Sequence, residues 1–424
     1  FDVTIEFSEV VTGLELSEVA VVNGTAVQLS GSGTTYVARI DPVMGQTVEV
    51  SLAAGVAVDG SGNPNSLSNV YQVLAGSPAS EFEKYSHEIR QVLVEDAHRS
   101  LVSTLSANQR MTRAARERFV ASRQVSESTV SRNEVPFDVD GTLTLSENRL
   151  STRGTFFEQR GNAESTARRL VFGDFDLQHD GDTDSTTATI SARMAWEQMY
   201  SDATMLGLFV GGEFARSNIK GSFDGEQDRL GFAFGGHAVH QLDEQLFFDG
   251  FVSLGAGRND LEMANDVLAL TSDYSTRTAT LGAALSGIYG YGQYELRPEL
   301  AFSYGKTWIG DVGFTGVAYG LTDDTLSLDA GGVSIATLTL RPEAVWALDA
   351  PTVADSRSQL SLAPRVICER VQSTSPSHDC GTGGEIGLTS TSKDGLSNAE
   401  FRVIVNKVGN RTRSSLVFNL ERQF

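Results

Sequence analysis

From about residue 168 to the end of the chain, apolar and polar side chains alternate with a period of two. In the stretch 186–198, Ala188, Ile190, Ala192, Met194 and Trp196 share one parity, and Thr187, Thr189, Ser191, Arg193 and Glu197 the other. Around 293–304, Tyr294, Leu296, Pro298, Leu300, Phe302 and Tyr304 oppose Gln293, Glu295, Arg297, Glu299 and Ser303. The last eleven residues, SSLVFNLERQF, set Leu416, Phe418, Leu420 and Phe424 against Ser415, Asn419, Glu421 and Gln423. Charged residues recur midway along strand after strand, with no helical layers to cover the apolar faces. Lipid outside and water or protein inside a closed sheet would satisfy both faces. Twelve antiparallel strands are expected across 167–424, with longer polar loops on one rim and tight turns on the other. A hairpin over 137–158 is read as lying before this barrel, within a connector at 136–166; the alternative is two more barrel strands, which would make fourteen.

Two other patterns precede it. Residues 1–76 carry short Val- and Thr-rich runs (DVTIEF, AVQL, TYVARI, TVEVSLAAG) between turn clusters, which predicts a β-sandwich. Glycine then vanishes over 78–124, and Phe82, Tyr85, Ile89, Val92, Leu93, Leu101 and Leu105 follow helical spacing. Ser77 before Pro78 forms a cap and first-turn pair. Forty-odd helical residues would extend roughly 65 Å. The C-terminal part of this helix bears Arg110, Arg113, Arg116, Arg118 and Arg123 against Glu117 alone. So basic a stretch with few apolar residues does not suit a core helix, and a cavity with acidic walls does. A helical linker at 77–135, partly inside the pore, is therefore expected, with Arg110, Arg113, Arg116 and Arg118 as the pore-helix residues. The lumen-facing set is Arg193, Glu295, Arg297, Glu299, Arg341 and Glu343, joined by Asp174, Glu213, Asp249, Glu369, Arg229 and Arg365 as further charged candidates. The motif RPE occurs twice, at 297–299 and 341–343, and is expected to form cross-strand salt bridges.

Composition narrows the function. A formal net charge of −21 over 424 residues argues against a nucleic-acid partner, since phosphate binding needs a basic surface. No run of 18 or more apolar residues offers a transmembrane helix, which leaves barrel strands open. The chain starts at Phe1 without a Met and is read as the C-terminal piece of a longer, exported precursor.

Chemistry is sparse. His237 and His240 sit three apart on a strand and point to opposite faces. DGDTDS at 180–185 starts like a calcium loop but has Ser185 at the required glycine and Ser191 at the required glutamate. Asp59 in DGSGN is read as a turn residue. No Ser/His/Asp order or activated thiol stands out, so no enzyme, metal or cofactor is expected. Cys368 and Cys380 flank a short polar segment in an oxidising compartment and are expected to form a disulfide.

Two resemblances add to these readings. VTIEFSEVVTGLELSEVAVVNGTAVQL through DGSGNPN resembles the bacterial Ig-like repeats of large surface proteins, with the first strand of the module missing. An Ig-like module, a long helix and a twelve-stranded C-terminal barrel together resemble the type Va autotransporters. That resemblance implies an outer-membrane translocator whose pore is threaded by the helix and whose N-terminal passenger, an adhesin or spacer, is displayed at the cell surface. It implies outer-membrane lipid, the barrel-assembly machinery and surface ligands as partners. It also implies that the final strand, with Phe418, Leu420 and Phe424, is the assembly signal; Arg422 stands where the family usually has an aromatic residue. Asn108 lies in the helix that some subfamilies cleave autocatalytically, but SANQRM is no match, and cleavage is not expected. The alternative is a porin-like channel with a helical plug.

Overall fold

The computed structural model describes residues 1–124, 136–146, 149–160, 167–348, 356–393 and 396–423. Its contacts divide the chain into two compact units. One comprises Phe1–Ser86 with Ala264–Leu270 and Phe314–Leu326; the other comprises the remainder.

In the first unit, the strands β1 (Asp2–Thr12), β2 (Val19–Val22), β3 (Gly24–Pro42), β4 (Gln46–Leu52), β5 (Val58–Asp59) and β6 (Tyr71–Ala75) form two three-stranded sheets. Their orders are β3-β1-β5 and β2-β4-β6. Val3, Tyr36, Ala38 and Ile40 from one sheet and Val48, Val50 and Leu52 from the other bury into a shared core. Asp59 acts as the turn residue expected: its Oδ1 accepts from the amides of Ser61 and Asn63, and its Oδ2 from the Asn63 side chain. Helix α1 (Pro78–Lys84) opens with a reciprocal capping box between Ser77 and Ser80 and has Pro78 in its first turn.

A closed antiparallel barrel around helix α2 (Ser86–Gln124) makes up most of the second unit. Its strands run β7 (Pro136–Ser146), β8 (Arg149–Arg160), β9 (Ala167–Asp180), β10 (Ser185–Ser201), β11 (Thr204–Ile219), β12 (Asp224–Asp243), β13 (Leu246–Ala264) and β14 (Leu268–Gly287). They continue as β15 (Tyr289–Tyr291), β16 (Tyr294–Trp308), β17 (Asp311–Ala318), β18 (Leu321–Asp329), β19 (Gly332–Leu348), β20 (Ser356–Gln372), β21 (Ser377–Ser392), β22 (Ser397–Val408) and β23 (Arg411–Gln423). Strand β15 prolongs β14, β17 prolongs β16 and β18 prolongs β19, so the wall among the described residues has fourteen staves, not the twelve expected.

The two additional staves are β7 and β8, the hairpin placed before the barrel by the sequence reading. Strand β23 pairs with β7 from Arg413↔Ser146 to Gln423↔Pro136, and β8 pairs with β9 throughout. Without that hairpin β9 and β23 would both present free edges, and pairing it there closes the wall. Three glycines mark these joints. Phe418 covers Gly141, Phe175 covers Gly154 and Phe156 covers Gly173, each ring lying over its cross-strand partner. Aromatic cover of this kind compensates a glycine's missing side chain in a strand.

The period-two pattern maps onto the wall directly. Leu208, Phe232, Ile386 and Phe418 face outward, while Ser191, Arg193, Glu299 and Arg341 are buried inside. The strands also outrun the expected loops: β12 and β14 have 20 residues each, against the ~9–11 that cross a bilayer. Segments read as polar loops, such as RSNIKGSFDGEQ at 216–227, are therefore mostly strand that continues past the apolar band.

Candidate functional site: a charged helix in the barrel lumen

Helix α2 has a lengthwise division of chemistry. Ile89, Leu93, Leu101, Leu105, Ala115 and Phe119 are all buried, recurring at helical spacing down one side. Near the C-terminal end Met111 joins a cluster with Leu170, Phe172, Ala195 and Phe209. One turn on, Ala115 and Phe119 meet Met205, Val239 and Phe247. The expectation that this stretch lacks packing surface is thus corrected. Met111, Ala115 and Phe119 are four residues apart and make a narrow stripe, which the surrounding arginines obscure in the sequence.

The arginines reach the wall. Arg110 donates to Asp174 (2.8 Å) and Arg113 to Glu299 (2.6 Å). Arg116 bridges two strands, donating to Asp249 (2.8 Å) and Glu299 (2.7 Å). Arg118 donates to Glu197 (2.5 Å), and its guanidinium lies 5.0 Å from the ring centre of Phe157. Each is a charge-assisted bond, stronger than its neutral counterpart. Glu299 is the hub, because its two oxygens serve two arginines one helical turn apart.

Two polar contacts escaped the sequence reading. Asp96, 3% exposed, accepts from Arg229 (2.7 Å) and Gln227 (3.1 Å) on β12. Asn108 donates to Ser253 and Thr280 (both 3.0 Å) and accepts from Arg193 (3.3 Å). A lone Asp and a lone Asn on a helix carry no signal of their own; their partners come from strands more than 80 residues away.

The remaining singled-out residues lie elsewhere on the wall. Arg341 pairs with Glu343 and with Glu385, which also takes Arg402. The register places Arg297 opposite Glu343 and Glu299 opposite Arg341, but among the described residues no ion pair joins the two RPE motifs: Arg341 bonds Glu343 on its own strand, and Glu299 takes the helix arginines. Arg297 bonds Glu295 beside it on β16. Cys368 and Cys380 are disulfide-bonded, as directly opposed residues of β20 and β21 rather than across a loop. His237 meets Glu197 inside the wall, while His240 is exposed beside Thr204. Phe418 and Leu420 face outward, and Phe424 is outside the described residues. Among the described residues no group of His, Cys, Asp and Glu is arranged to hold a metal.

Within this unit the helix has a direction. Arg90, near its start, bonds the carbonyl of Asp329 on the rim of long hairpins. Arg118, near its end, bonds Glu197, close to the tight turn between Ser201 and Thr204.

No curated protein matches the sequence. Among solved structures, the β domain of the Bordetella autotransporter BrkA is similar with 11% identity and a TM-score of 0.44, over 69% of this chain and 100% of that one. The translocator domain of the autotransporter NalP from Neisseria meningitidis has 12% identity and a TM-score of 0.37, over 76% and 98%. The monoaromatic hydrocarbon channel CymD has 11% identity and a TM-score of 0.42, over 69% and 88%. Residues 1–74 match the family model of a bacterial Ig-like domain.

Proposed function

We propose that the chain is an outer-membrane translocator of the autotransporter type, with an Ig-like passenger segment held at the cell surface. The observation that carries this reading is a helix whose arginines from Arg110 to Arg118 are ion-paired to acidic wall residues, inside a barrel whose outer face is apolar. Lipid is the solvent that suits such an outer face. A helix running from the long-hairpin rim towards the short-turn rim has the direction expected of a chain whose N-terminal part lies outside. The role assigned is anchoring and display, with no catalysis. The Ig-like module acts as adhesin or spacer, and the barrel-assembly machinery receives the final strand.

Protease treatment of intact cells tests it. Loss of residues 1–76 with a protected barrel is the expected result, and resistance of the module in intact cells would overturn the reading. Planar-bilayer recordings separate it from a plugged porin. A resident helix leaves conductance far below that of an open barrel, whereas frequent full openings would favour the channel.

A further inference from the structure

The barrel's outer face has a groove of about 1130 Å³ over strands β9 to β13, larger than the ~300–1,000 Å³ of most small-molecule sites. Its cause lies in three small outward-facing residues. Gly236 and Ala238 on β12 and Gly250 on β13 leave a floor of bare backbone. Trp196, Leu206 and Leu208 line one flank, and Phe248 and Val252 the other. Further along β12, Phe234 and Phe232 restore bulky cover. The depression is therefore confined to the half of the wall beside the short turns.

The groove is apolar except at one edge. Arg169 stands opposite Trp196, and Gln198 follows opposite Ala167, both exposed. Among the described residues Arg169 has no hydrogen-bond or ion-pair partner, although wall arginines such as Arg193, Arg229 and Arg341 are all engaged. A guanidinium level with an exposed tryptophan sits at the depth of lipid headgroups, where aromatic belts form.

We infer that this groove binds an anionic glycerophospholipid, with an acyl chain on the Gly236–Ala238–Gly250 floor and the headgroup phosphate on Arg169. A guanidinium matches phosphate oxygens bidentately, and a recessed wall orders a chain that a smooth wall would leave fluid. The inference rests on the outer-membrane reading above.

The test uses the full chain in vesicles of equimolar phosphatidylglycerol and phosphatidylcholine, with retained lipid counted by native mass spectrometry after detergent extraction. The expected preference for phosphatidylglycerol is roughly fivefold, the equivalent of about 1 kcal/mol for one basic side chain at an anionic surface. Arg169→Gln should abolish the preference, and Arg169→Lys should keep it. Ala238→Leu fills the floor without adding a new Cβ and should lower retention of both lipids. Equal retention of the two lipids by an inserted native chain overturns the site alone. A native chain that fails to insert overturns the membrane reading and the site with it. A native dimer dissolved by Ala238→Leu would assign the groove to a second copy and also overturn the site.

Discussion

The ring of Phe418 lies over Gly141, its cross-strand partner at the seam where the last strand of the barrel meets the first. A Cβ on Gly141 would lie 2.1 Å from the Cζ of that ring. Gly141→Val should therefore push Phe418 off the seam at a cost of ~1–3 kcal/mol, as overpacking elsewhere does. The check is the denaturant midpoint for losing the heat-modifiable gel band. Phe418→Leu, which empties the site instead, should lower that midpoint less.

The final strand carries a second expectation. Deleting Phe424 should reduce the amount of barrel in the outer membrane and leave unfolded chain in the periplasm. Undiminished heat-modifiable barrel in the membrane would count against Phe424 as the assembly signal.

Glu299 holds two helix arginines and Asp174 one. Breaking a buried pair by removing one charge costs ~3–5 kcal/mol, so Glu299→Gln should destabilise the folded barrel more than Asp174→Asn. Changing Arg113 and Arg116 together to Glu should loosen the helix and raise single-channel conductance and antibiotic uptake. Conductance that stays at the native level would show that other contacts hold the plug.

The Cys368–Cys380 bond closes a loop with a sequence separation of 12. In the chain-entropy account such a bridge contributes about 3 kcal/mol. Reduction should shift the unfolding midpoint accordingly, and unreduced, denatured protein should show no thiol to Ellman's reagent.

Asp59 tests the Ig-like module. Hydrogen bonds, first from the Asn63 side chain and then from backbone amides, hold its carboxyl below the usual carboxylate range. A lowered folded value means that the turn is fully stabilised above the unfolded value of ~3.9 and loosens as pH falls through the folded one. Amide exchange at Ser61 and Asn63, corrected for intrinsic rates, should accelerate below about pH 4. In Asp59→Ala it should be fast at every pH.

Local periodicity determined much of this protein. Alternation over two residues set which face of each strand turns outward, because successive side chains leave a strand on opposite sides. The loss of glycine after Ser77, with the Ser77–Pro78 start, located the helical region. The arginine run showed that this region needed acceptors, and the polar parity supplied Asp174, Asp249 and Glu299. What the pattern could not decide was membership and register. Residues 137–158 alternate like a barrel strand pair whether they stand inside or outside the wall, and only the edges of β9 and β23 admit them. Asp96 and Asn108 are ordinary helix residues until β12, β13 and β14 bring Arg229, Ser253 and Thr280 to them. The groove on β12 is likewise a relation between strands, since Gly236, Ala238 and Gly250 become one floor only when register sets them side by side. Side-chain direction is a property of the local backbone, whereas edge pairing, partner choice and shared surfaces depend on residues far apart in the chain, and those the tertiary structure decided.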